Sequence, residues 1–490
     1  LSSGAPYGKT IFGQPRGLAT LFFTEMWERF TYYGMRAVLI LFLVGSVGAG
    51  GLGLDDKAAS SIYGLYIAAT YVFSLFGGWI ADRLIGPQRA VISGALCILA
   101  GNALLSLGSV PLFFVGLLVI VLGVGLLKPN ISILVGQLYP EGGARRDAGF
   151  TVFYMGISVG ALLGSLLIPV CAAHYGWRVG FALPVIGMLF GLAQFLLTRR
   201  WLEKPAQAVA RRTDVRAWLP VAGLLIALAL LVTLMLSGRL VVDPVKVAAG
   251  ATWVMAVIAA GYFVYLLAFA GLELAERRRV YVMIALFAAY ATFYAGFEQG
   301  GASLNLFAER YTDRDVFGWH MPAGVLQGTT ALITILFAPV FAALWTFLGR
   351  RGKDLSPPSK FALGLALLSL GFLVMFVASK FVAGGDRVLP TWLLLTYFLQ
   401  ECGDLCLSPV GLSSMTKLAP PRLGGQVMGL WFLALALGNN VAGQLSIQYD
   451  AADLSSLPRL FIKIFWWGLI AAIVMLLLTP ILKKFMAGVK

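Results

Sequence analysis

Residues 25–36 read Glu25-Met26-Trp27-Glu28-Arg29-Phe30-Thr31-Tyr32-Tyr33-Gly34-Met35-Arg36, and they set two carboxylates and two guanidiniums inside one long apolar stretch. The surrounding sequence, from Leu18 to Val47, is apolar enough to cross a bilayer as a helix. At about 100° per residue, Glu25, Glu28, Arg29, Tyr32, Tyr33 and Arg36 fall on one face, within an arc of roughly 140°. A charge at that depth costs several kcal/mol unless it meets a partner, water or a transported molecule, so such residues usually mark a pathway. A salt-bridge cluster that only orients helices is the alternative. An acid pair beside two bases, with tyrosines between them, favours a site that handles protons and a charged solute.

The rest of the chain agrees that the solvent is lipid. The 490 residues are 59% hydrophobic and 12% charged, with a mean hydropathy of +0.87, whereas a soluble domain is roughly a quarter charged. Apolar runs of about 18 to 25 residues recur from end to end. They cover residues 18–47, 60–81, 89–108, 111–138, 148–172, 178–199, 217–237, 246–270, 280–308, 323–348, 360–379, 391–416, 426–447 and 460–482. The expected fold is therefore an all-α polytopic membrane protein of about fourteen transmembrane helices. The first run is too long for a secretory signal and has no small-residue cleavage site, so none is expected. The chain opens on Leu1 and not Met, so an altered or incomplete amino terminus is expected.

The net charge of +15 suggests nucleic acid at first sight, but its distribution describes topology. With both termini in the cytoplasm, the inner loops carry more than twice as many Lys and Arg as the outer ones. This is the positive-inside signature, and no nucleic-acid partner is expected. The cysteines, Cys97, Cys171, Cys402 and Cys406, lie in or near apolar spans and read as packing residues. His174 and His320 fall at or beyond the outer helix ends. No H-E-x-x-H, no nucleophile–base pair and no G-x-x-x-x-G-K-[ST] occurs, so neither an enzyme, a metal site nor an ATP-driven pump is expected. A channel is disfavoured by the lack of a filter-like repeat.

Gly78-Trp-Ile-Ala-Asp82-Arg83-Leu-Ile-Gly86, between the second and third spans, resembles the G-x-x-x-D-R-x-x-G signature of the major facilitator superfamily. That resemblance implies two six-helix bundles, with Asp82 and Arg83 holding the inner turn in a salt-bridged, capping arrangement. Residues 201–279 then hold a basic linker and an inserted two-helix hairpin, between an amino-terminal bundle (1–200) and a carboxy-terminal bundle (280–490). Further charges lie inside the spans. Lys128 precedes Pro129, which frees backbone groups and favours a bend. Glu298 sits in Phe293-Tyr294-Ala-Gly-Phe297-Glu298-Gln299-Gly300-Gly301, and Glu401 and Asp404 share the span 391–416 on roughly one face. A hydrogen-bonding role between helices is the alternative for Asp404 and the favoured reading for Glu401.

The run Glu25-x-x-Glu28-Arg29-Phe30-x-Tyr32-Tyr33-Gly34 resembles the signature of the proton-dependent oligopeptide transporter family, bacterial type. Lys128-Pro-Asn, Phe153-Tyr-Met-Gly-Ile-Ser158-Val-Gly160, Phe293-Tyr294-x-x-Phe-Glu298-Gln-Gly, Leu407-Ser-Pro-Val-Gly and Met428-Gly-Leu-Trp431 resemble family segments in the same order. The resemblance implies a proton-coupled symporter that imports di- and tripeptides by alternating access, with protons as the coupling ion and no cofactor. It implies proton coupling at Glu25, Glu28, Arg29 and Glu298. It implies peptide binding by Arg36, Lys128, Asp404, Tyr32, Tyr33, Tyr71, Ser158, Tyr294 and Trp431, and gating salt bridges Arg36–Glu298 and Lys128–Asp404. A monomer in the plasma membrane, in bacteria the inner membrane, is expected. The chemistry of the residues agrees, because a zwitterion needs a base at one end and an acid at the other, with forgiving walls between. With both histidines peripheral, carboxylates must carry the proton.

Four departures from the family pattern bear on selectivity. Gly64 stands where animal members carry a histidine, Ser158 and Thr330 stand where asparagines are common, and Asp404 is one methylene shorter than the usual glutamate. A proton-coupled carrier of another small solute on the same fold (a peptide-like antibiotic, an amino-acid derivative or nitrate) is the alternative. Nitrate is disfavoured because the Glu-x-x-Glu-Arg pattern is whole.

Overall fold

The computed structural model describes residues 10–11, 14–139, 143–202, 218–237, 239, 243–353, 355–420, 423–449 and 453–486. The basic linker 203–217, and Lys9, Arg422 and Lys490 of the inner-loop charge, lie outside the described residues. The chain is almost wholly helical: α1 (Arg16–Val44), α2 (Asp56–Ile80), α3 (Pro87–Ser106), α4 (Val110–Gln137), α5 (Gly143–Tyr175), α6 (Trp177–Thr198), α7 (Leu219–Leu236) and α8 (Pro244–Ala268) come first. They are followed by α9 (Leu274–Phe297), α10 (Ser303–Tyr311), α11 (Gly328–Arg350), α12 (Pro357–Ala383), α13 (Thr391–Leu418), α14 (Gly424–Ser446) and α15 (Ser456–Phe485). With α9 and α10 forming one interrupted span, these are the fourteen expected runs.

Lipid offers no hydrogen bonds to a backbone, so each apolar run closes its own as a helix. Among the described residues, ten of the spans are long and apolar enough to cross a membrane by length and composition. α7 is short, while α1 and α13 carry the intramembrane charges and α14 carries Gln426, Asn439, Asn440 and Gln444. Proline opens α3 and α12, where a missing N–H costs nothing. Asp243 caps α8 by accepting from the N–H groups of Val245 (3.0 Å) and Lys246 (3.3 Å). After α2 the chain makes one π-helical turn, Ala81–Ile85, and leaves it through Gly86 at φ 81°. Asp82 and Arg83 are exposed on this turn, and among the described residues neither is engaged in an ion pair.

The ninth run differs from the uninterrupted helix its hydropathy suggests. It breaks at a 3₁₀ turn, Glu298–Gly301, and resumes as α10. Gly300 and Gly301 weaken the helix there, and Gln299 ties the break down. Its amide donates to the carbonyls of Ala295 (3.1 Å) and Ala442 (2.9 Å), and its carbonyl accepts from Ser303 (2.5 Å) and Ser446 (2.7 Å).

The residues form two compact units. The first is Leu1–Val38 with Val72–Val242, and the second is Leu39–Tyr71 with Asp243–Lys490. In the first, small residues let backbones touch. A Cβ on Gly94 would stand 2.6 Å from the carbonyl oxygen of Gly123, and one on Gly101 would stand 2.7 Å from that of Gly116, so α3 and α4 lie close. In the second, a Cβ on Gly64 would stand 2.9 Å from the Cα of Gly443. That contact, with a bidentate pair from Arg310 to Asp56 (2.7 and 2.8 Å), groups residues 39–71 with the second unit. It also leaves no room at Gly64 for an imidazole.

Candidate functional site

In the first unit the site is built on α1. Glu25 is 3% exposed, Glu28 1% and Arg29 3%, so three ionisable groups share a buried volume. Arg29 Nε lies 3.2 Å from Glu25 Oε1 and also pairs closely with Glu28 Oε2. The Arg29 guanidinium stands 4.9 Å from the centre of the Tyr32 ring, and that of Arg36 stands 5.9 Å from Tyr33. The two tyrosines meet edge to face at 5.3 Å. These contacts follow the one-face pattern read from the sequence.

Helix α5 seals this cluster because it is small where α1 is large. A Cβ on Gly160 would overlap the carbonyl of Met26 and reach 3.0 Å from Arg29 Cβ, and one on Gly164 would overlap the carbonyl of Phe30. A Cβ on Gly156 would stand 3.0 Å from the Phe22 carbonyl oxygen, a tight contact without overlap. The spacing of four keeps these glycines on one face, so the α5 backbone lies along the motif. Ser158 is half-buried beside them, its hydroxyl donating to the Tyr154 carbonyl at 3.4 Å. Lys128 is half-buried on α4, directly before Pro129, and its charge reaches Glu25.

The salt-bridge cluster is not saturated. Glu25 Oε2, Glu28 Oε1 and Arg29 Nη2 are buried without a hydrogen-bond partner. A purely structural ion cluster is stable only when its remaining lone pairs and protons are used. Spare capacity on both signs is what a site for water, protons or a charged solute requires.

In the second unit the acid is Asp404 on α13. Its Oδ1 accepts from Ser408 (2.5 Å) and from the Tyr294 hydroxyl (3.1 Å). Tyr290, one turn before Tyr294, reaches Ser408 at 3.3 Å and stacks on Trp431 with ring centres 3.7 Å apart. Trp431 lies over Gly411, where a Cβ would collide with the indole. Tyr71 lies within electrostatic reach of Tyr290 and Tyr294. Glu298 is buried at the α9–α10 break and accepts from Tyr63 at 3.5 Å. Tyr290 and Ser408 are site residues that sequence reasoning passed over. Their signal was the i, i+4 spacing, Tyr290 to Tyr294 and Asp404 to Ser408.

The histidines play no part in either cluster. His174 is exposed near the end of α5, and His320 is exposed and paired with Asp315 at 2.8 Å. All four cysteines are free thiols. Among the described residues no group of three or more His, Cys, Asp and Glu side chains has the geometry of a metal site.

Comparison with known proteins gives concordant matches over nearly the whole chain. A family model described as the POT family matches residues 88–466. A peptide transporter of Yersinia enterocolitica is 40% identical, over 98% of this chain and 97% of its own length. A di-/tripeptide transporter of Lactococcus lactis is 34% identical, over 98% of both chains. Among solved structures, a peptide transporter in complex with sulfate superimposes with a TM-score of 0.90 at 40% identity, covering 98% of each chain. A POT family transporter in complex with 5-aminolevulinic acid gives 0.89 at 32% identity, covering 97% of this chain and 98% of its own.

Proposed function

This chain belongs to the POT family, and on that premise we propose that it imports di- and tripeptides together with protons by alternating access across a bacterial inner membrane, with both termini in the cytoplasm. The proposal divides the chain into bundles 1–200 and 280–490, with 201–279 as the linker and inserted hairpin. Arg36 and Lys128 take the peptide carboxylate, because a cation donating hydrogen bonds is the strongest partner such a group has. Asp404 takes the amino group, and Tyr32, Tyr33, Tyr71, Ser158, Tyr294 and Trp431 line the space for side chains. Aromatic walls suit a transporter of varied peptides, since they offer area without demanding one shape.

Glu25, Glu28 and Glu298 exchange the proton. A proton entering down a 100 mV potential releases about 2.3 kcal/mol, plus the contribution of any pH gradient. The observation that carries this assignment is the unsatisfied capacity of Glu25 Oε2, Glu28 Oε1 and Arg29 Nη2 in a buried cluster. Arg29 holds the carboxylates in place, and protonation of either acid releases the guanidinium from it.

The test is uptake of labelled dialanine into proteoliposomes under an acid-outside gradient, repeated with an uncoupler. Accumulation that the uncoupler abolishes is the expected result. Failure to accumulate, with folding and orientation verified, refutes the peptide assignment and favours another small solute carrying an amine and an acid.

A further inference from the structure

The outward-facing corner between α1 and α6 has no role in the cycle proposed above, yet it is shaped. A groove of about 370 Å³ opens there, lined by Phe23 and Trp27 of α1 and by Phe190 and Gln194 of α6. Phe23 is 44% and Phe190 57% exposed, at a depth where the surrounding solvent is hydrocarbon. Glycines of α6 form the wall. A Cβ on Gly191 would stand 3.0 Å from Trp27 Cβ, and one on Gly187 would stand 3.2 Å from the Trp27 ring. Trp27 therefore seats against the α6 backbone, and its ring centre lies 5.6 Å from that of Phe190.

Toward the ends of the two helices the groove turns polar. Gln194 Oε1 accepts from the Thr24 hydroxyl (3.3 Å), the Gln194 amide donates to Thr198 Oγ1 (3.0 Å), and Thr20 donates to the same oxygen (2.9 Å). A primary amide carries two N–H groups, so Gln194 has one more to offer. Next comes a cationic corner. α6 runs into the 3₁₀ turn Arg199–Trp201, and a Cβ on Gly17 would stand 2.9 Å from the Trp201 carbonyl oxygen, so the start of α1 adjoins that turn. Arg199 and Arg200 are exposed. The Arg16 guanidinium stands 5.9 Å from the Trp201 ring centre, and its Nε is buried without a hydrogen-bond partner. No Asp or Glu occurs in residues 16–24 or 190–202 to offset these cations.

We infer that this corner binds an anionic phospholipid of the inner leaflet, with its phosphate on Arg16, Arg199 and Arg200, an ester carbonyl on the Gln194 amide and one acyl chain in the groove beside Trp27. The order of the contacts is the order of the lipid. At 1.5 Å per residue, Gln194 lies about 7.5 Å and Phe190 about 13.5 Å deeper than Arg199, so charge, ester and hydrocarbon each meet their own kind. Charge complementarity selects the headgroup, because guanidinium and phosphate pair through fixed, charge-assisted hydrogen bonds. A zwitterionic headgroup would bring a cation of its own to the same corner. The inner side follows from the topology proposed above, whereas the site is independent of the cargo.

The test is photo-cross-linking in the full chain, with Phe190 replaced by p-benzoylphenylalanine, in vesicles of phosphatidylcholine with a minor fraction of phosphatidylglycerol. Each Arg near a membrane surface is worth about a fivefold factor in affinity for anionic lipid, so three should enrich phosphatidylglycerol adducts roughly a hundredfold over the bulk ratio. Arg199→Gln combined with Arg200→Gln should lower that enrichment about thirtyfold. The same label at Ile470 of α15, which is 56% exposed, should report the bulk ratio. Adducts at the bulk ratio at Phe190 overturn the site and leave annular lipid only. Enrichment that survives the double variant, or cross-links to a second copy of the chain instead of lipid, overturns it as well. If a variant fails to fold, the wild type decides. In detergent, phosphatidylglycerol should raise its melting temperature more than phosphatidylcholine does at equal concentration, an advantage that raised salt removes. Equal shifts by the two lipids overturn the proposal.

Discussion

Removing one carboxylate at the α2–α10 contact should open the transporter on its proposed outer side. Arg310 grips Asp56 through both guanidinium nitrogens at 2.7 and 2.8 Å, with side chains 26% and 14% exposed. The guanidinium also stands 5.3 Å from the Tyr449 ring centre. Such a pair lies between the exposed limit, worth under about 1 kcal/mol, and the buried limit, where breaking it costs about 3–5 kcal/mol. The bidentate geometry and partial burial place its coupling at about 1–3 kcal/mol. If the pair forms only when the outer ends of α2 and α10 meet, Asp56→Asn raises the population of the separated state by the corresponding factor, roughly 5- to 150-fold. Ser60, fully buried one turn along α2, supplies a reporter beside the Gly64–Gly443 contact. In a background with Cys97, Cys171, Cys402 and Cys406 replaced, Ser60→Cys should react with a membrane-impermeant maleimide faster by that factor once Asp56→Asn is added. Arg310→Gln should give the same increase, and the double variant little more, because the two side chains act as one unit. Labelling that stays within about twofold of the parent, in a variant that still transports, refutes the latch and the magnitude assigned to it.

Glu28→Gln should abolish gradient-driven accumulation while counterflow exchange persists, and accumulation by that variant would remove Glu28 from the coupling site. Asp404→Ala should impair uptake of peptides with a free amino terminus more than competition by N-acetylated ones, and equal losses would argue against an amine clamp. Gly160→Val should disable the protein by forcing α5 off α1, since even a Cβ overlaps the Met26 carbonyl; overpacking of this kind costs about 1–3 kcal/mol or more, and a lowered detergent melting temperature would register it. Asn440→Leu removes amide donation to the Ala248 carbonyl and Thr252, both at 2.7 Å, and should detach α8 from α14 at a cost of about 0.6–1.7 kcal/mol. Proteolysis or thiol labelling along α8 measures that loosening, and unchanged protection would show that apolar packing alone holds the hairpin.

The sequence by itself determined the helical architecture of this protein. A run of apolar residues long enough to cross lipid has one economical conformation, because every backbone group must be satisfied within it. Hence the runs from 18–47 to 460–482 appear as helices with small boundary shifts. The charges inside the spans were equally legible, since Glu25, Glu28, Arg29, Lys128, Glu298 and Asp404 stand out by the cost of placing them in hydrocarbon. Local periodicity also placed the Glu25-to-Arg36 face correctly. Tertiary structure decided what local spacing cannot express. The break at Glu298–Gly301 is held by Gln299 through Ala442 and Ser446, more than 140 residues away in sequence. Asp404 finds Tyr294, 110 residues distant, and Ser408 brings Tyr290 into the same network. Residues 39–71 pack with the second unit because Gly64 meets Gly443 and Asp56 meets Arg310. Each of these is a contact between separate helices, set by where a small residue admits a neighbour's backbone or a polar atom lacks water. No period along one helix records such a partner.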